Sequence, residues 1–388
     1  MLFPIVVLLG LTGLVVGILN AYDHFTIPAL APLVWNLVII ASLVVLTPLF
    51  EGDDRLYAYA IGVVAGTAVQ LLMCLPPLRR LGFPLRISFS FRNPRIKQVL
   101  ALMLSVSVGL GLINIDVLLN SVIGSMVSDE APSAIDAAFR IYMLPQGMFS
   151  VAVATVLFPA LARLASRRDL PGLRATTGTG MRQIALLLIP SAAATIALAT
   201  PIVQLLYQRG EFDAESTRLT ADALFWFAYS LPFSGINLLL TRTFFALQRP
   251  WLPTVLALGS LVVNVAVSLA LYGPLGIGGV VLGTTVGNAA MTVLLMIRLR
   301  GTLDGLEVAR TLRAAAIMLG AAVLLGGVAY GTWWLLDDLL GQSLLAQVVS
   351  VGSGLALGGA VYVGLVLAAG LPEAREILGL FRRRLARA

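Results

Sequence analysis

The sequence contains 388 residues, of which 59% are hydrophobic and only 12% are charged, and its net charge is +7. Soluble domains have about 25% charged residues, whereas many apolar stretches here reach the roughly 20 residues that cross a bilayer. The composition therefore excludes a soluble globular protein and indicates an all-α polytopic membrane protein. The arginines lie in short loops between apolar stretches, where they set topology, so nucleic-acid binding is also excluded.

The apolar stretches predict about eleven transmembrane helices, because backbone groups in lipid must be satisfied within a helix. The predicted bounds are 2–20, 28–50, 55–77, 96–123, 133–165, 181–207, 217–247, 252–272, 276–299, 312–336 and 344–370. Arginine-rich loops follow the third and fifth of these helices, whereas the loops at 51–54 and 337–338 are acidic. Because positively charged loops stay in the cytoplasm, we expect Met1 outside and Ala388 inside.

The predicted helices fall into five parts along the chain. Residues 1–77 contain three helices, 78–95 form an amphipathic linker, and 96–300 contain six helices. Residues 301–371 contain two further helices, and 372–388 form a basic cytoplasmic tail. This tail combines apolar and arginine residues as in a helix lying on an anionic membrane surface, and a solvated tail that only sets topology fits equally well.

An internal repeat relates predicted helices one to three with helices seven to nine. Pro28 and Pro253 each lie seven residues after an alanine, and residues 62–69 match residues 279–286. Both matched segments have small residues four apart, which allow close helix approach in lipid. The copies share one predicted orientation, so the repeat is parallel and predicts two lobes. Predicted helices four to six precede the second copy, whereas no corresponding helices precede the first. We therefore expect the first lobe to be truncated.

Arg140 lies within the long apolar stretch from Pro132 to Arg168, about two helical turns from its start. A charge at membrane depth costs about 3 kcal/mol or more, so such an arginine faces protein or a water-filled cavity. We predict that Arg140 contributes to a functional site, and that Gln146 and Ser150 continue its face as a wetted wall. The alternative is an arginine near the helix end that extends to the lipid headgroups.

A second group of polar residues interrupts otherwise apolar helices. It consists of Asp116, Asn264, Ser268 and Thr284. Hard oxygen ligands of this kind suit a small cation, and an intramembrane aspartate rarely lacks a role. A cluster of interhelical hydrogen bonds explains the same residues equally well. The sequence has no nucleophile with a base, no phosphate-binding glycine loop and no metal-ligand motif, so we expect no enzymatic activity.

The stretch from Arg140 to Arg163 resembles the MurJ/MviN family of lipid II flippases, within the multidrug/oligosaccharidyl-lipid/polysaccharide exporter superfamily. The likeness continues through residues 201–213 and 241–253, and residues 17–32 are similar to the family's fourth helix. The resemblance implies a two-lobe exporter fold in the bacterial cytoplasmic membrane, of which this chain lacks the first three helices. Phe139 departs from the family, because many relatives have an aspartate before the arginine.

The resemblance implies that the substrate is lipid II, a polyprenyl pyrophosphate carrying a disaccharide-pentapeptide, which is moved by alternating access of two lobes. Arg140 and Gln146 would then contact the headgroup, since a guanidinium binds a diphosphate through two parallel hydrogen bonds. Arg242 would receive the headgroup at the cytoplasmic end, although a positive-inside anchor is the simpler interpretation.

The resemblance also implies sodium as the one ion that the chain would bind, with no other cofactor. In some relatives sodium binds the positions that match Asp116, Asn264, Ser268, Val280 and Thr284. Ser268 replaces an aspartate there, so we expect weak binding or none. Expected partners are lipid II, membrane lipids and proteins of cell-wall synthesis. The alternatives are an exporter of another lipid-linked glycan or of a drug, and a truncated, non-transporting scaffold of cell-wall synthesis.

Overall fold

The computed structural model describes residues 3–22, 24, 26–80, 94–210, 212–341 and 343–376. Throughout these ranges the chain forms helices joined by short loops, and they contain no strand, which confirms the all-α prediction. Two compact units are present, Met1–Ile96 and Lys97–Ala388. The predicted divisions at residues 301 and 372 stay predictions. Most of the predicted linker, residues 81–93, and residues 377–388 of the predicted tail lie outside the described residues.

The first unit is built from three long helices. They are α1 (Pro4–Ala21), α2 (Thr26–Leu46) and α3 (Arg55–Arg80), with short 3₁₀ turns at Thr47–Leu49 and Gly52–Asp54. α3 packs against both of the other helices and its Cys74 and Leu78 are fully buried. Many large apolar side chains of α1 and α2 are exposed, as expected for helices that face lipid.

The second unit contains the remaining helices. They are α4 (Pro94–Ser125), α5 (Ala131–Pro145), α6 (Ala152–Ser166), α7 (Leu170–Ala197), α8 (Ala199–Tyr207), α9 (Ala214–Ala228), α10 (Leu231–Ala246), α11 (Trp251–Leu275), α12 (Ile277–Thr302), α13 (Val308–Leu340) and α14 (Leu344–Ala368). A π-helical stretch, Gln146–Val151, joins α5 to α6. The three largest buried apolar clusters among the described residues of this unit all include side chains of α7. α7 is therefore the central helix of this unit.

Eight helices of the described chain are long and apolar enough to cross a membrane, or nine if α9 and α10, which bend by 48°, count as one span. One of the eight, Ala131–Ser166, comprises α5, the π-helical stretch and α6. The membrane-spanning architecture is thus confirmed, whereas the count of eleven helices stays a prediction. The predicted helix 181–207 is interrupted, because Leu198 separates α7 from α8.

α7 begins at Leu170, whereas the apolar pattern predicted its start at residue 181. The first turns of α7 contain threonine, glycine and arginine, which lower the hydropathy of this segment. The apolar stretch from which the helix was predicted therefore begins later than the helix does. The side chain of Asp169 caps this helix, since its Oδ1 accepts a hydrogen bond from the backbone N–H of Gly172 at 3.0 Å. Arg174, predicted to lie in a cytoplasmic loop, is consequently on a helix.

In both units the repeated glycine segment packs closely against the preceding helix. A Cβ on Gly62 would lie 3.4 Å from the Cα of Ile39, and one on Gly283 would lie 2.5 Å from Oδ1 of Asn264. Ile39 and Asn264 follow the two helix-opening prolines at equal intervals. The structural equivalent of Gly62 is therefore Gly283, one helical turn beyond the Gly279 that the sequence match paired with it.

Candidate functional site

Arg140 lies on the exposed face of α5, opposite the face that packs into the second unit. Its side chain is 70% exposed, and its Nε donates a hydrogen bond to Oδ2 of Asp136 at 2.9 Å. Asp136, one turn earlier on α5, is thus an acidic partner of Arg140, although Phe139 stands where many relatives have an aspartate. A charged pair thus stands within the membrane-length span Ala131–Ser166. Because hydrocarbon does not tolerate such a pair, this face of α5 must meet water, protein or a polar ligand.

The wall predicted to extend from Arg140 does not continue as far as Ser150. Gln146 is half-buried, and Ser150 is fully buried, where a Cβ on Gly235 would lie 2.7 Å from its Oγ. The expectation that Ser150 lines a wetted wall is therefore wrong. Both residues lie in the π-helical stretch, whose wider turn rotates the side chains away from the α-helical register that the sequence analysis assumed.

Arg242 lies near the end of α10 and is exposed. Its guanidinium carbon stands 5.7 Å from the ring centre of Phe158 on α6, within the range of a cation–π interaction. This contact orients the arginine over the α6 surface. It agrees with a topology anchor and with a residue that meets an anionic headgroup, and both interpretations stay open.

The predicted polar residues of α4, α11 and α12 do come together, and we name them, with Asn120, the polar cluster. Nδ2 of Asn264 donates to Oδ1 of Asp116 at 2.6 Å. Oγ of Ser268 lies 2.8 Å from the carbonyl oxygen of Val280 and 3.0 Å from Oδ1 of Asn264. All of these side chains except that of Asp116, which is half-buried, are buried.

Asn120 is a member of the polar cluster that sequence reasoning missed. Its Nδ2 donates to Oγ1 of Thr284 at 3.2 Å, and its Oδ1 accepts from Nδ2 of Asn264 at 3.3 Å. The signal was present, because Asn120 follows Asp116 by four residues and so lies on the same helical face. Gly283 makes room for the cluster, since a Cβ there would lie 2.1 Å from Oγ of Ser268.

The polar cluster has the oxygen atoms that a sodium ion prefers. A carboxylate, an amide oxygen, a hydroxyl and a backbone carbonyl converge, and only the carboxylate of Asp116 is charged. Nowhere in the described residues do three or more His, Cys, Asp or Glu side chains gather into a metal site. Asn264 directs its amide nitrogen toward Asp116, so a cation would require that amide to turn over. As it stands, the cluster ties three helices together through hydrogen bonds.

Two cavities flank α13 and differ in character. One of about 360 Å³ lies between α7, α13 and α14 and is lined almost entirely by apolar side chains, including Phe149, Pro190, Leu325 and Val366. The other, of about 660 Å³, lies between α8, α9 and α13 and includes Arg218 among several polar groups. The first cavity can hold a hydrocarbon chain, whereas the second is suited to polar molecules.

Charges and amides inside membrane-length helices are typical of transporters, since their cost is accepted where a polar substrate or ion must pass. By its fold and these sites the molecule is a multi-pass membrane transporter. The sequence also defines its family, because the model of the family described as lipid II flippase MurJ matches residues 1–349. The chain belongs to this family.

Individual relatives agree with the family match. The chain is 30% identical to the lipid II flippase MurJ of Burkholderia cenocepacia, in an alignment covering 99% of this chain and 74% of that protein. It is also 30% identical to a probable lipid II flippase MurJ of Rhizobium meliloti, over 86% of this chain and 63% of that protein. The chain therefore spans roughly two thirds to three quarters of these relatives.

Solved structures show the same fold. A lipid II flippase MurJ in an inward closed conformation matches with a TM-score of 0.71 and 21% identity, covering 93% of this chain and 71% of that one. The MATE transporter VcmN of Vibrio cholerae matches with a TM-score of 0.56 and 16% identity, over 76% and 66% of the two chains. The predicted exporter fold is thus confirmed, and the protein is a multi-pass protein of the bacterial cytoplasmic membrane.

Proposed function

We propose that this chain moves lipid II from the inner to the outer leaflet of the cytoplasmic membrane, by alternating access and without catalysis. The observation that carries the proposal is the Asp136–Arg140 pair, which presents a guanidinium on the exposed face of a membrane-length helix. In a chain of this family, a pyrophosphate is the ligand that best explains an arginine in that place, because its oxygens match the guanidinium fork.

The neighbouring aspartate makes the arginine suitable for release as well as for binding. Asp136 accepts a hydrogen bond from the Nε of Arg140 and so holds the guanidinium on the exposed face of α5. An anion that binds Arg140 would compete with a carboxylate one turn away, which lowers affinity and favours turnover. Gln146, half-buried on the π-helical stretch, and Arg242 remain proposed headgroup contacts of lesser weight.

The polyprenyl tail requires an apolar surface, and the cavity of about 360 Å³ between α7, α13 and α14 provides one. Tyr362 contributes its ring to this cavity, while its hydroxyl donates to the carbonyl of Leu186 at 2.9 Å. The cavity therefore offers hydrocarbon contacts with its polar groups already paired. Membrane lipids would occupy it in the absence of substrate, and cell-wall synthesis proteins remain expected partners.

The test compares Arg140→Ala and Arg140→Lys in lipid II binding, measured by native mass spectrometry of the purified chain. We expect Arg140→Ala to lose at least tenfold in affinity and Arg140→Lys to lose nearly as much, because a lysine cannot bind in the bidentate geometry. Arg218→Ala is the matched control, since Arg218 is 69% exposed and pairs with Glu215 three residues away. Equal retention of lipid II by Arg140→Ala and the parent chain would contradict the proposal.

The binding measurement, together with transport in proteoliposomes, distinguishes lipid II transport from the two alternative functions. Preference for a different lipid-linked glycan, lost in Arg140→Ala, would indicate an exporter with another cargo. Binding of lipid II without its movement across proteoliposome membranes would instead indicate a scaffold of cell-wall synthesis.

A further inference from the structure

A buried group of charges lies where α7, the start of α13 and the chain after α14 meet. Nη1 of Arg182 donates to Oε2 of Glu307 at 2.8 Å, and its Nε donates to Oε1 of Glu373. The side chains of Arg182 and Glu373 are each 3% exposed, and that of Glu307 is 25% exposed. We name these three residues the ion cluster. None of the three was predicted from the sequence as a site residue.

The ion cluster has two carboxylates for one guanidinium. Oε2 of Glu373 is buried and has no hydrogen-bond partner within the described part of the chain. Oγ1 of Thr311, one turn after Glu307 on the face of α13 that packs inward, is likewise buried without a partner there. A buried charge that is not compensated is strongly destabilising, so the cluster is short of one positive charge.

The other charged residues around the ion cluster do not supply a positive charge to Glu373. Arg310 of α13 lies 3.8 Å from Oε2 of Glu307, but its side chain is 59% exposed and water screens it. Arg375 and Glu376, on the same segment as Glu373, are exposed, and Glu376 accepts from the neutral Gln183 of α7 at 3.4 Å. No cation among these residues reaches Oε2 of Glu373.

The ion cluster lies between a polar cavity and an apolar one. Glu307 lines a cavity of about 430 Å³ together with Arg174 and Asp304. The basic residues at this end of α12 and α13 place it on the cytoplasmic side of the membrane. Ala374, next to Glu373, lines the apolar cavity between α7, α13 and α14. Water therefore reaches the ion cluster from one side, at Glu307, and the apolar cavity adjoins it on the other.

We propose that the ion cluster is a binding site for one monovalent positive charge, a proton or an alkali cation, held at Oε2 of Glu373 and reached from the cytoplasm past Glu307. Binding a proton converts the carboxylate of Glu373 to a carboxylic acid, and no other bond forms or breaks. Binding neutralises the cluster and so strengthens the attachment of α13 and α14 to α7. This inference does not depend on lipid II as the substrate.

The test measures thermal unfolding of the purified protein in detergent, from mildly alkaline to mildly acidic pH. At each pH, sodium, potassium and N-methylglucamine chlorides are compared at one ionic strength. We expect the midpoint of the parent chain to rise when protons or a small alkali cation are added. Glu373→Gln, which keeps an oxygen for Arg182 and is always neutral, should have the higher midpoint at alkaline pH and lose this response.

Glu376→Gln is the matched control, because it removes an exposed carboxylate from the same segment and should respond as the parent chain does. The infrared band of a protonated carboxyl group, present in the parent chain at acidic pH and absent in Glu373→Gln, would identify the ligand as a proton. A response to sodium or potassium at constant pH that Glu373→Gln loses would identify an alkali cation at the ion cluster.

Equal responses of the parent chain and Glu373→Gln would overturn the proposal and leave a structural ion pair. If Glu373→Gln is too unstable to purify, Glu307→Gln supplies the comparison. It removes the same charge from the accessible end of the cluster and should reduce the response in the same way. An undiminished response in Glu307→Gln would overturn the proposal as well.

Discussion

Arg140 and Arg182 both lie within apolar spans, and the structure gives them opposite settings. Arg140 is 70% exposed and pairs with Asp136, four residues away on its own helix. The side chain of Arg182 is 3% exposed and pairs with glutamates 125 and 191 residues away in the sequence. An arginine in a span thus requires a polar environment, but its sequence neighbourhood does not say whether a ligand or distant parts of the chain provide it.

The largest expected effect that separates the two arginines is on stability. Arg182→Ala removes the guanidinium that pairs with both Glu307 and the buried Glu373 and leaves Glu373 without a counterion, so we expect a loss of about 3–5 kcal/mol in the free energy of unfolding. Arg140→Ala removes an exposed pair and should cost less than about 1 kcal/mol. Denaturant titration of the purified protein in detergent measures both.

A compensated variant provides the control for this prediction. Combining Arg182→Met with Glu307→Gln and Glu373→Gln removes all three charges and should recover most of the lost stability, because buried ion groups can be replaced by neutral residues at little cost. A loss in Arg182→Ala no greater than that in Arg140→Ala would show that the ion cluster is not buried in the membrane protein.

The second effect tests whether the polar cluster depends on close packing, whereas the ion cluster depends on charge. In Gly283→Ala the added Cβ would lie 2.1 Å from Oγ of Ser268, so α11 and α12 must separate. We expect a loss of about 1–3 kcal/mol, measured by the same titration. Gly320→Ala on α13, where a Cβ meets nothing within 4 Å, should be neutral or slightly stabilising. Equal effects of the two substitutions would contradict close packing at Gly283.

The membrane architecture was predictable because apolar length is a local property of the sequence. Asp116, Asn264, Ser268 and Thr284 were also predictable as a group, since polar residues in apolar helices must find one another. The ion cluster was not predictable, because its partners come from distant segments.

The start of α7 was missed even though Asp169 precedes Leu-Pro in the sequence, a helix-start signal that apolar length does not register. The π-helical stretch has no comparable signal, so the orientation of Ser150 could not be derived.

A third, smaller effect concerns how α14 is held against α7, next to the ion cluster. Pro190 has no N–H, so the carbonyl of Leu186 lacks its helical donor, and the hydroxyl of Tyr362 replaces it at 2.9 Å. Tyr362→Phe leaves this buried carbonyl unpaired and should cost about 0.5–1.5 kcal/mol. Tyr330→Phe, at an exposed position on α13, should cost nothing measurable in the same unfolding experiment. A neutral Tyr362→Phe would show that the carbonyl finds another donor.

The smallest expected effect is that of sodium on the polar cluster. A ligand that binds only the folded state stabilises it by RT ln(1 + [L]/Kd), which is about 1.4 kcal/mol at ten times Kd. With Asp116 as the one carboxylate, we expect less than this in the parent chain and no sodium response in Asp116→Asn. Ser268→Asp adds a second carboxylate beside Asn264 and Val280 and should increase the response.

These sodium measurements belong in the Glu373→Gln background, where the ion cluster no longer responds to cations. Thermal unfolding in sodium against N-methylglucamine then reports the polar cluster alone. If Ser268→Asp gains no sodium response and Asp116→Asn unfolds as its parent does, the polar cluster is a hydrogen-bonded joint between α4, α11 and α12. Of the polar cluster and the ion cluster, only the ion cluster could then bind a cation, and the direction of the Asn264 amide toward Asp116 would be its permanent arrangement.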